Sequence, residues 1–287
     1  MESAASTGCI ISVSGMLKFL GVSRSGLRSF MNHKPSQSEI RKHNIKDNIL
    51  NIYKASKQNY GAPKITAELK KSGEIISERT VGKYMREMHI KAQWIKPWIK
   101  TTNGSDFSNE LHNILDENFN PERPNAVWCT DITYIWTADG FVYLTSIMDL
   151  YSRKIISWTL SETMEVIHVI NTIEQAKSRR NTSKPLIIHS DRGSQYVSQA
   201  YREATEKMQR SYSHKGYPYD NACIESFHSL IKREWLNRFK IKDYDEAQRL
   251  VFEYIETFYN TVRIHSHCGY LSPNQFEKLF AEQTNIA

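Results

Sequence analysis

Four cysteines in 287 residues are few, and Cys9, Cys129, Cys223 and Cys268 lie far apart with no Cys-x-x-Cys among them. That spacing argues against a disulfide framework or a zinc ribbon and fits a reducing cytoplasm. His265-Ser266-His267-Cys268 has the composition of a metal site, but it is too tightly spaced for a zinc finger. No run approaches the ~18 apolar residues that a membrane span needs. No basic segment followed by a long apolar run opens the chain, so no secretory signal is expected. Proline and glycine are absent from 222 to 268, so nothing there breaks helices. Acidic residues are scarce at the front: 1–105 carry 18 Lys+Arg against 7 Asp+Glu, whereas 106–287 carry 20 against 24. The net charge of +7 favours a polyanionic partner. Its placement implies a basic half that grips and a mildly acidic half that does chemistry. Hydrophobic residues make up 40% of the chain, enough for a real core.

The length fits about two domains. Residues 1–15 are small and polar. Residues 16–31 read as two short helices broken near Gly21. Leu20-Gly21-Val22-Ser23-Arg24-Ser25-Gly26 suits either a helix-turn-helix corner or an ordinary helical hairpin. A short linker at 35–38 leads to an amphipathic helix over 40–56, with Ile45, Ile49, Ile52 and Tyr53 on one stripe. Gly61 breaks it, and Pro63 suits the first turn of the next helix, which Ser72-Gly73 ends. Ser77 then caps a helix over 78–88 with Val81, Tyr84, Met85 and Met88 inward. Arg79, Lys83 and Arg86 face outward there, which makes them the candidate phosphate contacts of a helix-turn-helix-like region. Over 91–106, Trp94, Lys96, Pro97, Trp98 and Lys100 read as an extended linker whose rings either stack on nucleic acid or pack on the second half. The expected segments are an N-terminal helical one at 1–35, the helix-turn-helix-like region at 36–92, the basic and aromatic linker at 93–124, and an α/β domain at 125–287.

In that last domain the order is three strands, a helix, a strand and more helices. Val127-Trp128-Cys129-Thr130-Asp131-Ile132-Thr133-Tyr134-Ile135 is β-branched and aromatic, yet Asp131 sits in its middle. Asp139-Gly140 marks a hairpin to a second strand over 141–149. A third strand covers 153–160 and a helix 162–177. Pro185-Leu186-Ile187-Ile188-His189-Ser190-Asp191-Arg192-Gly193 reads as a buried strand that ends in a turn at Asp191, before a helix over 194–208. Asp220 and Asn221 are good capping types for a helix running to Trp235. Ile224, Phe227, Leu230, Ile231 and Trp235 form its apolar face, and Glu225 lies on the flank with Asn221, Ser229 and Lys232. A last long helix covers 243–262. Taken singly, Asp131 could be satisfied by backbone donors, Asp191 could cap a turn, and Glu225 could be solvated. Taken together, carboxylates from two strands and a helix can hold two Mg²⁺ ions that clamp a phosphoryl transfer.

Trp128-Cys129-Thr130-Asp131-Ile132-Thr133-Tyr134, His189-Ser190-Asp191-Arg192-Gly193-Ser194-Gln195-Tyr196 and Asp220-Asn221-Ala222-Cys223-Ile224-Glu225-Ser226-Phe227 resemble the DDE transposase and retroviral integrase superfamily. More narrowly they resemble the second-frame (OrfB) product of the "IS three" group of bacterial insertion sequences. Ser211-Tyr212-Ser213, Tyr259-Asn260-Thr261-Val262-Arg263-Ile264-His265 and Ser272-Pro273-Asn274-Gln275-Phe276 match as well. The likeness runs from about Leu17 to Lys278. It implies a ribonuclease-H-like core, a mixed five-stranded sheet with flanking helices, at 125–287. It also implies Asp131, Asp191 and Glu225 as a metal-binding catalytic triad for two Mg²⁺ ions, with Mn²⁺ able to substitute. Lys232 would contact the DNA end. The implied partners are the element's terminal inverted repeats and target DNA, a homo-oligomer assembled on DNA, and an upstream-frame (OrfA) helix-turn-helix partner or fusion. The implied setting is the bacterial cytoplasm, at the nucleoid.

One interval departs from the group's pattern. Thirty-three residues lie between Asp191 and Glu225, slightly fewer than usual, with the shortfall between Tyr196 and Ser211. Two rival readings therefore stand beside a transposase: a worn remnant that only binds element ends, and a ribonuclease-H-like nuclease that cuts without joining.

Overall fold

In the computed structural model, which describes residues 13–93, 111–214 and 217–286, the chain forms two compact units, 1–51 and 52–287. The aromatic linker residues Trp94 and Trp98 lie outside the described residues.

The first unit holds α1 (Val13–Phe19), α2 (Arg24–Met31) and most of α3 (Gln37–Ala55). Gly21 takes φ +65 at the break between the first two helices, where a Cβ would be strained. Ser23 caps α2 by accepting from the Gly26 N–H at 3.0 Å. Ser36 and Glu39 form a capping box ahead of α3: the Glu39 N–H donates to Ser36 Oγ (3.3 Å), and the Ser36 N–H donates to Glu39 Oε2 (2.7 Å).

The second unit continues with α4 (Ala62–Lys71) and α5 (Glu78–Glu87). Pro63 sits in the first turn of α4, and Ser77 caps α5 through the Thr80 N–H, both as the sequence predicts. The sheet comprises β1 (Val127–Thr137), β2 (Gly140–Asp149), β3 (Lys154–Ser161), β4 (Ile187–Ser190) and β5 (Gln209–Tyr212). Its order is β3-β2-β1-β4-β5. The first three strands are antiparallel neighbours, whereas β4 runs parallel to both β1 and β5. This is the mixed five-stranded sheet that the resemblance implies. Helices cover both faces: α6 (Val166–Arg179), α7 (Ser194–Val197) and α8 (Gln199–Ala204) on one, α9 (Ala222–Glu234) and α10 (Tyr244–Phe252) on the other. The alternation of a strand explains the two cores. Trp128 joins Ile147, Ile188, Val169 and Ile173, while its neighbour Cys129 joins Leu144, Ile224, Phe227 and Val251. A last helix, α11, runs Pro273–Ile286.

Three local expectations are corrected. The helix expected over 194–208 is two short ones, because Ser198 leaves helical geometry at ψ 154 and caps α8 through the Tyr201 N–H. The long helix expected over 243–262 is α10 followed by a π-helical stretch, Glu253–Tyr259. Its wider turn buries Tyr254, Ile255, Phe258 and Tyr259 together. Asn221 stands at the N-cap of α9, as its type suggests, but neither its side chain nor that of Asp220 makes a cap hydrogen bond there. Asp220 instead accepts from the His214 N–H (2.6 Å), and the Asn221 amide donates to the Thr130 carbonyl (3.5 Å).

The Tyr259-to-His265 motif fastens the chain's tail to the sheet. The Asn260 amide exchanges two hydrogen bonds with the Ile155 backbone (3.0 and 2.9 Å), and the Tyr259 hydroxyl donates to the Arg153 carbonyl (3.0 Å). The Arg263 guanidinium donates to both oxygens of Glu234 on α9 at 2.7 Å, with the Tyr254 hydroxyl donating to the same carboxylate (2.8 Å). The helical front end meets this region. The Tyr60 hydroxyl accepts from the Ile264 N–H (2.9 Å), Arg238 donates to the Lys57 carbonyl (2.7 Å), and Lys57 pairs with Glu253 (3.2 Å). Burial pushes the Lys64 ammonium down to about 7, with Arg263 adding to the effect.

The His265 ring accepts from Arg263 Nη1 at 3.1 Å. Burial first, then the charges of Arg263, Lys64, Arg153 and His267, push the imidazole down to about 2. In the unfolded chain it titrates near 6.5. Above that pH both states are neutral and the group's contribution is fully present. As pH falls below it the unfolded state gains a proton that the folded state refuses, and stability is lost. We expect an acid-side slope of up to about 1.4 kcal/mol per pH unit. Urea unfolding of His265→Gln between pH 7 and 4 should show that slope flattened; an unchanged slope would assign the acid sensitivity to other groups.

Candidate active site

Asp131 lies on β1 and Asp191 directly after β4. The last parallel pair of these strands is Cys129↔His189, so the two acids stand two residues beyond it on neighbouring chains. Adjacent strands are ~4.8 Å apart, which brings the carboxylates within reach of each other's charge. Asp191 is open to solvent along one side, yet its carboxyl is pushed up to about 6, first by desolvation and then by Asp131, with the Gly193 N–H pulling it down. That N–H donates to Asp191 Oδ1 at 2.9 Å. Gly193 has an ordinary negative φ of −59; a Cβ there would stand 3.0 Å from the same oxygen, a tight contact to which the carboxylate would have to yield by a few tenths of an ångström.

The rest of the His189-to-Gly193 motif is scaffolding. His189 is fully buried and held by Ser211 (2.9 Å) and Ser213 (3.1 Å) on and just past β5. Burial pushes its imidazole down to about 4, so it stays neutral at pH 7. Arg192 donates to the Ser213 carbonyl (2.7 Å) and to the Leu111 carbonyl (3.1 Å). Together these bonds fix the turn that carries Asp191.

α9 packs across β1. Its His228 is buried; Nδ1 stands 3.3 Å from Asp131 Oδ2, and Nε2 is 2.7 Å from the Ser146 hydroxyl on β2. Sequence reasoning missed His228. Its one signal is position, three residues after Glu225 on the same helix, a rise of ~4.5 Å. Glu225 itself is exposed in the first turn of α9. Among the described residues no three His, Cys, Asp or Glu side chains form a group able to hold a metal ion. The two aspartates are thus brought together, and Glu225 is placed one helical turn from His228, which touches Asp131. Lys232, a turn further on, holds its ammonium 4.3 Å over the Tyr134 ring. Burial lowers its proton affinity and the Asp131 charge partly restores it. Arg79, Lys83 and Arg86 are all exposed on α5.

The donor set suits a hard divalent cation. Two neighbouring carboxylates repel each other, and a cation between them relieves that repulsion. Oxygen ligands favour Mg²⁺ or Mn²⁺ over softer metals.

Residues 121–218 and 206–273 each match an integrase core domain family, and residues 39–98 match an HTH-like domain family. The transposase for insertion sequence element IS904 of Lactococcus lactis is 37% identical over 250 residues, covering 86% of this chain and 99% of that protein. Transposase InsF for insertion sequence IS3A of Escherichia coli K12 is 34% identical over 271 residues, covering 93% and 94%. The 31 kDa protein of insertion element IS600 of Shigella sonnei is 33% identical over 267 residues, covering 92% and 98%. Among solved structures, the HTLV-2 integrase catalytic core domain in complex with magnesium overlaps at TM-score 0.42 and 19% identity, covering 54% of this chain and 98% of that one. Fold and domain matches define an integrase-core protein with an HTH-like domain, a polynucleotidyl-transferase type of enzyme that binds DNA. The chain belongs to the transposases of the IS3 family of insertion sequences. Among the described residues no helix is long and apolar enough to cross a membrane.

Proposed function

We propose that the chain cuts DNA at the ends of an insertion sequence and joins the freed 3′ ends to target DNA, with Asp131, Asp191 and Glu225 as the metal-binding catalytic triad. The observation that carries this reading is the juxtaposition of Asp131 and Asp191 beyond a parallel strand pair, beneath a helix that bears Glu225. Two divalent ions held there, Mg²⁺ or Mn²⁺, would supply an activated water and neutralise charge on the phosphate. The protein's own part is geometric. Asp131 is oriented by His228, and Asp191 is fixed by the Gly193 N–H. Lys232 lies over the Tyr134 ring within reach of the Asp131 charge, where it can contact the backbone of the DNA end. No Ser or Tyr nucleophile is required, because water and then the 3′-hydroxyl attack in line.

Purified chain, a labelled terminal repeat and Mg²⁺, scored for binding, nicking and joining, test the reading. Joined product supports it. Nicking without joining would indicate a ribonuclease-H-like nuclease, and binding alone a worn remnant kept at element ends. Acting on two ends favours a homo-oligomer on DNA, and adding or omitting the upstream-frame helix-turn-helix product in the same assay tests the OrfA requirement. The setting in this reading is the bacterial cytoplasm, at the nucleoid.

The grip belongs to α5. Reversing Arg79, Lys83 and Arg86 to Glu should weaken DNA binding and flatten its dependence on salt by up to about three units of slope, one per phosphate contact. Fluorescence anisotropy from low to moderate salt reads this. Binding and slope equal to wild type would remove α5 from the interface.

A further inference from the structure

The outer face of the β1–β2 hairpin is aromatic and, among the described residues, uncovered. Alternation buries Ile135 (3% exposed) and Val142 (4%) on the inner face, while Tyr134 (40%), Trp136 (64%) and Phe141 (48%) stay open on the outer one. The register sets Trp136 opposite Phe141 and Tyr134 opposite Tyr143. Phe141 meets Tyr134 edge-on at 5.3 Å and Trp136 at 4.8 Å, so the rings hold one another in place. Large apolar side chains grouped on a solvent-facing strand pair mark a contact surface.

Two features say what covers it. Tyr134 lies three residues along β1 from Asp131, ~10 Å by strand geometry, and its side chain leaves the opposite face of the strand, so the two neighbour each other around the edge of β1. The Lys232 ammonium sits over the Tyr134 ring and also feels the Asp131 charge, so the patch and the acidic corner are joined by one cation. β4 pairs with β1 only at Val127, Trp128 and Cys129, which leaves the β4-side edge of β1 free of strand pairing from there to the aromatic face. Open rings beside a fixed cation are the arrangement on which single-stranded nucleic acid stacks its bases and rests its phosphates.

We propose that this face stacks unpaired bases of the DNA strand whose phosphate lies at Asp131 and Asp191. The inference rests on the proposed function and adds a single-stranded segment to its substrate.

The test compares two duplexes of one sequence, one blunt and one carrying a single-stranded tail with a fluorescent aminopurine. Binding by the full chain is measured in EDTA, so no chemistry is needed. Wild type should prefer the tailed duplex and quench the aminopurine. The double variant Trp136→Ala, Phe141→Ala should lose roughly tenfold or more on the tailed duplex and less than about twofold on the blunt one. Trp136→Phe should keep most of the quenching, since a ring remains, and its melting temperature controls for folding. Equal affinities in both variants and both duplexes would overturn the proposal. So would a double variant that becomes monomeric by light scattering while still quenching the tail, which would give the face to a second copy of the chain. A cleavage-competent Asp131→Asn protein would sink the triad assignment without touching this binding result, so the two failures remain distinct.

Discussion

Asp131→Asn and Asp191→Asn are each expected to lower DNA cleavage and joining by roughly a thousandfold or more. Loss of an ion-holding carboxylate removes several kcal/mol of transition-state charge stabilisation, and each ~1.4 kcal/mol is tenfold in rate. The fold should survive, because the change relieves the desolvation and the Asp131 repulsion that together push Asp191 up to about 6. A melting temperature at or above wild type therefore accompanies the lost activity. Mn²⁺ binding followed by calorimetry should weaken in the same variants, a readout independent of turnover. Glu225→Gln carries the sharpest risk, since Glu225 is exposed. If that variant alone keeps wild-type activity, the triad reading fails at its third member. His228→Ala should fall between, at about 10–100-fold, the usual cost of losing a partner that orients a ligand. His228→Asn, which keeps a hydrogen-bonding group, should recover part of it.

Breaking the Arg263–Glu234 pair is expected to cost about 3–5 kcal/mol of stability. Both side chains are buried, each about 6% exposed. Burial opposes the Glu234 charge, but the bonds and charge of Arg263 outweigh it and hold the carboxyl below the usual range. Arg263→Met leaves that carboxylate desolvated with only the Tyr254 hydroxyl and the nearby Lys64. Glu234→Leu is worse placed still, because it sets Arg263 against Lys64, whose ammonium burial already disfavours. The double variant should be closer to wild type than either single one, since no lone buried charge remains. Urea unfolding measures all three. Single variants that lose less than about 1 kcal/mol would show the pair to be solvated after all. The effect should spread to function, because Glu234 lies on α9, the helix that also carries Glu225, His228 and Lys232.

Much of this was legible early. The β-branched run around Asp131, the Asp139-Gly140 hairpin and the apolar stripe of α9 gave the elements that bear the acids, because strand and helix periods show directly in residue order. Ser77 and Pro63 announced their helices by local chemistry alone. Ser198, Asp220 and Asn221 did not behave as their local context predicts, since partners distant in sequence or an early restart of the helix competed for them. Nothing near Glu234 in the sequence discloses Arg263, 29 positions on, as its partner.

By itself the sequence determined the acids, the strands and helix that carry them, the basic front half and the family, because each is written in composition, period or motif. Only the tertiary structure decided that His228 stands against Asp131 and that the Tyr259-to-His265 motif buckles the tail to α9 and β3. The aromatic face is a tertiary fact too, since alternation sets which residues share a side but not which side the helices cover. The physical reason is the same in each case: these contacts join residues from 29 to 105 positions apart, and no local period records a partner brought near by folding.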